Sequence, residues 1–272
     1  MKKEFFDIYN DVKIPAIGFG TWQIDNSVAK DACLVALKEG YRHIDTAKAY
    51  GNEQAVGASI KESGLKREDI FITSKIPAEI KNYEDAKRCI KESLELLDTP
   101  YIDLMLIHAP KPWSEMGNRD GYRYFKENCE VYKALEEAYE EGLLKTIGVS
   151  NFEIVDIENI IKHNKIKPMV NQICIFAGAT PIELIKYCQD NEILVEAYSP
   201  LATGKLFDKP LIIEMAKKYN VSVAKLAIRY CYQLGTLPLP KSVTPSRIKE
   251  NLDIFDFVIT DEDMIILKNT RF

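Results

Sequence analysis

One unit of patterning recurs along the chain. A short apolar run rich in β-branched residues leads into a polar turn, and then into a stretch with apolar residues three and four positions apart. The first such run is Ile17-Gly18-Phe19-Gly20. A helix is predicted to start near Asn26-Ser27, read as its N-cap, with Val28, Ala32, Val35 and Ala36 on one face and Gly40 as its stop. Seven further runs follow: 43–45, 70–73, 104–107, 146–149, 170–173, 194–197 and 237–239. Helical patterns lie between them, for example Cys89 to Leu97 and Leu135 to Tyr139. Near-continuous apolar runs alternating with amphipathic helices predict a parallel sheet covered by helices. Eight repeats predict closure of that sheet into a (β/α)8 TIM barrel, with residues 1–272 as a single domain. The last strand is the weakest, because two prolines, Pro238 and Pro240, interrupt it.

Two segments depart from the rhythm. Before the barrel, Phe6-Asp7-Ile8-Tyr9 and Lys13-Ile14-Pro15 flank Asn10-Asp11, which predicts an N-terminal β-hairpin placed to plug the barrel bottom. After the fourth run, residues 111–128 are rich in Gly, Arg, Asn and aromatics and read as a long loop.

Composition narrows the functional classes. The 272 residues are 46% hydrophobic and 28% charged, ordinary for a globular chain, and carry a net charge of −5. That balance gives no footprint for nucleic acid or an anionic membrane. The six cysteines are scattered without a CxxC pair, which predicts free thiols and a cytoplasmic protein. The opening Met1-Lys2-Lys3-Glu4-Phe5-Phe6 lacks the apolar core of a signal peptide, and no run is long enough to span a bilayer.

In a (β/α)8 barrel, chemistry gathers at the C-terminal ends of the strands. The second run ends in Asp45 and is soon followed by Tyr50, the third ends in Lys75, and the fourth is followed by His108. Taken singly these read as a helix cap, a packing phenol, a solvated ammonium and a satisfied imidazole. On consecutive strands they form a coherent acid. A phenol of pKa ~10 is a weak donor at neutral pH. An adjacent ammonium favours phenolate, a carboxylate balances the buried ammonium, and a neutral imidazole orients a carbonyl oxygen. The hydride would have to come from a cofactor. A second cluster, Pro240 to Asn251, joins a strand end to a helix start with Lys241 and Arg247 beside it. It fits either a phosphate site or a capped helix with solvated bases. No GxGxxG, P-loop or HExxH occurs, the three histidines lack the spacing of a metal set, and no metal is expected. His43 is expected to face the barrel interior and His163 the surface.

The segments Gly18-Phe19-Gly20-Thr21-Trp22, Gly40 to Ala47, Tyr50-Gly51-Asn52-Glu53, Ile72-Thr73-Ser74-Lys75, Asp103 to His108, Gly148 to Phe152, Met169 to Ile173 and Tyr198-Ser199-Pro200-Leu201, with Pro240 to Asn251, resemble the aldo-keto reductases over nearly the whole chain. The resemblance implies reduction of a small-molecule carbonyl by NADPH. Tyr50 would be the general acid, Lys75 its partner, Asp45 the residue holding Lys75, and His108 the carbonyl orienter. It implies that Ser150, Asn151 and Gln172 bind the nicotinamide carboxamide and that Tyr198 stacks on the ring. Ser199 and Leu201 would lie along the pyrophosphate. Lys241, Ser242, Val243, Thr244 and Arg247 would form the 2′-phosphate pocket, with Glu250 and Asn251 at the adenine. Gly20, Thr21 and Trp22 match the loop after the first strand, with Trp22 as a substrate wall. A monomer is expected, as is common among the relatives.

The departures face the substrate. Lys75-Ile76-Pro77, His108-Ala109-Pro110 and Cys174-Ile175-Phe176-Ala177-Gly178 replace aromatic or His-Pro signatures common in the family, and the chain ends at Phe272. Trp113, Tyr122, Tyr124 and Phe125 are candidates to refill the wall. Two other functions are weighed: an NADPH-binding regulatory subunit with little turnover, and a Schiff-base aldolase using Lys75.

Overall fold

The structure is a computed structural model that describes residues 4–118 and 121–272. Met1, Lys2 and Lys3, on which the leader reading rests, and positions 119–120 of the long loop lie outside the described residues.

Strands β1 (Phe5–Asp7) and β2 (Lys13–Pro15) pair antiparallel with Phe6 opposite Ile14. Eight further strands form one parallel sheet in chain order: β3 (Phe19–Gly20), β4 (His43–Asp45), β5 (Phe71–Ile76), β6 (Ile102–Ile107), β7 (Leu144–Ser150), β8 (Val170–Cys174), β9 (Leu194–Tyr198) and β10 (Leu237–Leu239). Two hydrogen bonds join the first to the last: Gly18 N donates to Pro238 O at 3.1 Å and Gly20 N to Pro240 O at 3.0 Å. The prolines therefore sit at the seam that closes the barrel. Proline lacks only the donor, and the seam uses its carbonyl. Gly18 is required there, since a Cβ would lie 2.4 Å from Leu239 Cδ2 and 2.7 Å from His43 Nδ1.

Helices α1 (Asn26–Glu39), α2 (Glu53–Glu62), α3 (Tyr83–Leu97), α4 (Phe125–Glu140), α5 (Ile154–His163), α6 (Ile182–Asp190), α7 (Pro210–Lys218), α8 (Val223–Gln233), α9 (Pro245–Leu252) and α10 (Asp261–Asn269) complete the chain. None is long and apolar enough to cross a membrane among the described residues. The first helix corrects the sequence reading in two details. Asp25, not Asn26 or Ser27, caps α1, accepting from Ser27 N at 2.9 Å. Its buried stripe is Ala29, Ala32, Cys33, Ala36 and Leu37, while Val28 is exposed. Val28 and Ala32 are four apart, but Ala29 shares the inner face with Cys33 and Ala36, and close packing favours the smaller residue. Gly40 ends the helix at φ 111°, as expected.

The hairpin covers the N-terminal end of the barrel. Asn10 Nδ2 donates to Lys145 O at 3.1 Å in β7, Tyr9 OH to Lys167 O at 2.7 Å ahead of β8, and the Phe6 ring meets Tyr232 edge-on. The opposite end is left open for chemistry.

Side-chain alternation decides which residues share the interior. On β5, Phe71, Thr73 and Lys75 point inward, with Phe71 and Thr73 against His43 and Lys75 against Asp45. Ser74 points outward and donates to Glu53 of α2. His43 and Asp45 of β4, Gln172 of β8 and Glu196 of β9 join the inner set. The barrel interior is thus polar in its upper layers, where the inward positions converge. His163 is on the surface, as expected, with Nδ1 donating to Asn159 O at 3.0 Å.

Candidate active site

The open end of the barrel holds a cavity of about 930 Å³. Each of the four strand-end residues reaches it or lies directly beneath. Asp45 ends β4. Tyr50 ends the single 3-10 turn Lys48–Tyr50, which Gly51 terminates at φ 69°. Lys75 lies one residue from the end of β5, and His108 follows β6, its N–H donating to Ile76 O at 3.0 Å.

Lys75 is fully buried, and its Nζ donates to Asp45 Oδ1, Asp45 Oδ2 and Thr46 O, each at 2.8 Å. Tyr50 OH is 3.4 Å from the same nitrogen. The His108 ring packs edge-on between Tyr50 and Trp113, with centroids 5.5 and 5.2 Å away. This saturation of Nζ overturns the aldolase alternative: a buried ammonium with a carboxylate and a carbonyl on its hydrogens offers no free amine for an imine.

Electrostatics differ in one respect from the sequence expectation. Burial raises the Tyr50 pKa, and the opposing pull of Lys75, although in the expected direction, is the smaller effect. Burial alone would lower Lys75, but the charge of Asp45, then of Tyr50, outweighs it and the ammonium is held above its ordinary value. Burial, aided by Lys75, pulls His108 down to about 3. A neutral imidazole faces the cavity at any physiological pH. Its Nδ1 is buried without a hydrogen-bond partner among the described residues.

A second layer supports these four. Ser150 Oγ donates to Gln172 O at 2.9 Å. Asn151, in left-handed backbone at φ 60°, donates through Nδ2 to His108 O and Ser150 Oγ at 3.0 Å and accepts Tyr198 OH at 2.8 Å. It therefore ties the residue beside the tyrosine to the aromatic ring on β9. Gln172 Nε2 donates to Asp45 Oδ2 and to Glu196 Oε2, both at 2.7 Å. Two carboxyl acceptors fix the orientation of that amide and leave Oε1 as its free polar atom.

The cavity wall continues past Gly20, Tyr198, Ser199 and Leu201 to Lys241 and Ser242 ahead of α9 and to Arg247, Glu250 and Asn251 on that helix. Ser242 Oγ accepts Thr244 N at 3.1 Å, shaping the turn ahead of Pro245.

A family model described as "Aldo/keto reductase family" matches residues 16–271. The chain belongs to the aldo/keto reductase family. It is 41% identical over 263 residues to the glyoxal reductase of Bacillus subtilis (strain 168), covering 96% of this chain and 91% of that one. Among solved structures it is similar to MGS-M4, an aldo-keto reductase from a Medee basin deep-sea metagenome library, with TM-score 0.90, 36% identity, and 99% and 95% of the two chains covered. A Bombyx mori aldo-keto reductase in complex with NADP superposes with TM-score 0.88 at 31% identity, covering 98% and 92%.

In this aldo/keto reductase three of the residues assigned by motif stand off the cavity wall. Thr21 is fully buried and holds Asp45 O through both its N–H and its hydroxyl, each at 2.9 Å. Val243 and Thr244 are exposed, on the outer side of the turn before α9. Trp22 and Trp113 both line the cavity, each 44% exposed. Tyr122 and Tyr124 do not: their rings pair at 4.9 Å, and their hydroxyls donate to Glu127 and Glu115. Phe125 begins α4 and is no part of a loop. Of the candidate aromatic replacements, Trp113 alone reaches the wall. The sequence reading missed Gln23, Phe207 and Ser222 on the wall, and Glu196 beneath it. Only Ser222 carried a local signal, as the cap of α8, where it accepts Lys225 N.

Proposed function

We propose that the protein reduces aldehydes or ketones to alcohols with NADPH as hydride source and Tyr50 as proton donor. The observation that carries this reading is the Asp45–Lys75–Tyr50 chain, with Lys75 Nζ held by both Asp45 oxygens and 3.4 Å from the phenol, at the edge of a cavity that also reaches Lys241 and Arg247.

The residues fit a phosphorylated dinucleotide. Two basic side chains, Lys241 and Arg247, flank the helix start on the cavity wall, and Tyr198 and Gln172 line it as well. Ser150, Asn151 and Gln172 would hold the carboxamide, Tyr198 would stack on the ring, and Ser199 and Leu201 would border the pyrophosphate. Lys241, Ser242 and Arg247 would hold the 2′-phosphate, with Glu250 and Asn251 at the adenine. When bound, the reduced nicotinamide supplies the hydride that reaches the carbonyl carbon.

The chain's own residues handle the oxygen. The neutral His108 imidazole and the Tyr50 hydroxyl point a carbonyl oxygen toward the proton it must receive. Tyr50 gives its proton to that oxygen, Lys75 stabilises the phenolate left behind, and Asp45 keeps Lys75 charged. Trp22 and Trp113 exclude water from the apolar side. Six free cysteines support a reducing compartment, the cytoplasm, and a closed barrel supports a monomer.

The test follows NADPH absorbance with a panel of carbonyls. Glyoxal comes first, because the Bacillus subtilis relative is named for it. Turnover that falls at least ~100-fold in Tyr50→Phe, with NADPH binding retained, is the expected result. Tight NADPH binding without turnover on any carbonyl would instead favour a regulatory subunit.

A further inference from the structure

Directly under the Asp45–Lys75 pair lies a carboxyl group that the proposed reaction does not use. Glu196 sits on β9, fully buried and inward-facing. Its Oε2 accepts Gln172 Nε2 at 2.7 Å, and the same nitrogen donates to Asp45 Oδ2 at 2.7 Å. One amide nitrogen thus bridges two buried acids. The other oxygen, Oε1, has no hydrogen-bond partner and lies 3.9 Å from His43 Nε2, which is itself engaged with Thr73 Oγ1 at 2.9 Å.

The groups facing Glu196 are His43 and Asp45 from β4, Lys75 from β5 and Gln172 from β8. Lys75 is the cation of this set, and Asp45 with Thr46 O already occupies its nitrogen. His43 offers no counter-charge, because burial and then Lys75 pull its pKa down to about 3. A second buried carboxylate would be uncompensated, and such a group keeps its proton. The unpartnered Oε1 agrees, since a bare carboxylate oxygen there would cost more than a neutral carboxyl. Burial, followed by the Asp45 charge, pushes the Glu196 pKa up to about 8.

We propose that Glu196 is a positioning residue for the carbonyl reduction. It acts through Gln172 and Lys75 on the Asp45–Lys75–Tyr50 chain and keeps Tyr50 in its proton-donating form as the solution turns alkaline. Protonated, Glu196 leaves Asp45 as the sole carboxylate facing Lys75 and orients the Gln172 amide so that its oxygen faces the cavity. Ionised, it places a second negative charge within reach of Lys75, whose own charge it stabilises. That charge offsets part of the Lys75 field, which favours phenolate, so the sign is fixed: loss of the Glu196 proton raises the pH at which Tyr50 loses its own.

This inference rests on Tyr50 being the acid, and the experiment separates the two. The tyrosinate ultraviolet band of the cofactor-free enzyme is titrated in wild type and in Tyr50→Phe, and the difference gives the Tyr50 midpoint. The same difference is taken in Glu196→Gln, an uncharged isostere that still accepts from Gln172. The midpoint is expected to fall by roughly half a pH unit or more. The alkaline limb of kcat should move down with it, while KM at neutral pH holds near wild type. A purely structural Glu196 would lower kcat or Tm at every pH and leave the midpoint in place, and that result overturns the proposal. Should the glutamine variant fail to fold, Glu196→Thr, uncharged and β-branched for a strand, is read by the same criterion. If Tyr50→Phe keeps full turnover, the reading of Tyr50 as acid fails instead, while the spectroscopic midpoint still reports on Glu196.

Discussion

Asp45→Asn tests the electrostatic heart of the barrel. Wild-type Lys75 is fully buried, with both Asp45 oxygens at 2.8 Å from Nζ. The amide keeps the shape but removes the charge, leaving an ammonium without a counter-ion. Breaking a buried pair from one side costs about 3–5 kcal/mol. For a chain of this size that corresponds to a Tm lower by roughly 10 °C. The cost has a defined pH dependence. In wild type the Lys75 pKa is raised, so its contribution is fully present below the unfolded value and is lost as pH rises through the folded one. In Asp45→Asn, burial, the largest single influence on Lys75, is no longer offset by the Asp45 charge and hydrogen bond, so the folded Lys75 pKa drops below the unfolded value. The unfolded chain then binds more protons, and the deficit shrinks as pH climbs toward ~10. The assay is urea unfolding followed by circular dichroism at neutral and at alkaline pH, for Asp45→Asn and for Asp45→Asn/Lys75→Met. The double variant removes the stranded charge and should recover much of the loss. A penalty below ~1 kcal/mol, or a double variant less stable than the single one by the full cost of a second core substitution, would refute the reasoning.

Three further outcomes are expected. Arg247→Ala should weaken NADPH about 10- to 100-fold with little change for NADH, measured by fluorescence titration; equal losses for both would remove Arg247 from the 2′-phosphate. Because His108 titrates at about 3, kcat for reduction should carry no histidine limb between pH 5 and 7, and a limb in that range that disappears in His108→Gln would contradict it. Gly18→Ala would press a methyl 2.4 Å from Leu239 Cδ2 at the barrel seam, and a loss of roughly 1–3 kcal/mol is expected; a variant as stable as wild type would mean that the seam yields freely.

The order of elements and the four candidate residues at the strand ends were readable because each is a local signal. A β-branched run followed by one polar residue that packing does not need marks Asp45, Lys75 and His108 at the strand ends, and Tyr50 follows in the next turn. The hairpin was equally local, since alternation about Asn10-Asp11 needs no distant partner. The prolines in and just after β10 illustrate where local reading stops. Pro238 and Pro240 argue against a central strand, yet their carbonyls receive Gly18 and Gly20 across the closing seam. Whether a carbonyl has a donor opposite depends on a segment more than two hundred residues away.

The same holds for the layer beneath the site. In a parallel strand buried on both faces, the apolar pattern does not say which parity points inward. Glu196 among Leu194, Val195 and Ala197 therefore gave no sign that it faces Asp45 through Gln172. Nor did Thr21 show that it holds a strand carbonyl, or Trp113 that it, and neither Tyr122 nor Tyr124, reaches His108. The balance at Tyr50, where burial outweighs Lys75, follows from how much of the ring the closed barrel covers. Sequence periodicity determined the eight-fold alternation, and local sequence determined which polar residues stand at the strand ends, because both are written within a few residues. Register, closure and desolvation were decided by the tertiary structure, because each depends on distances between segments that the chain order does not contain.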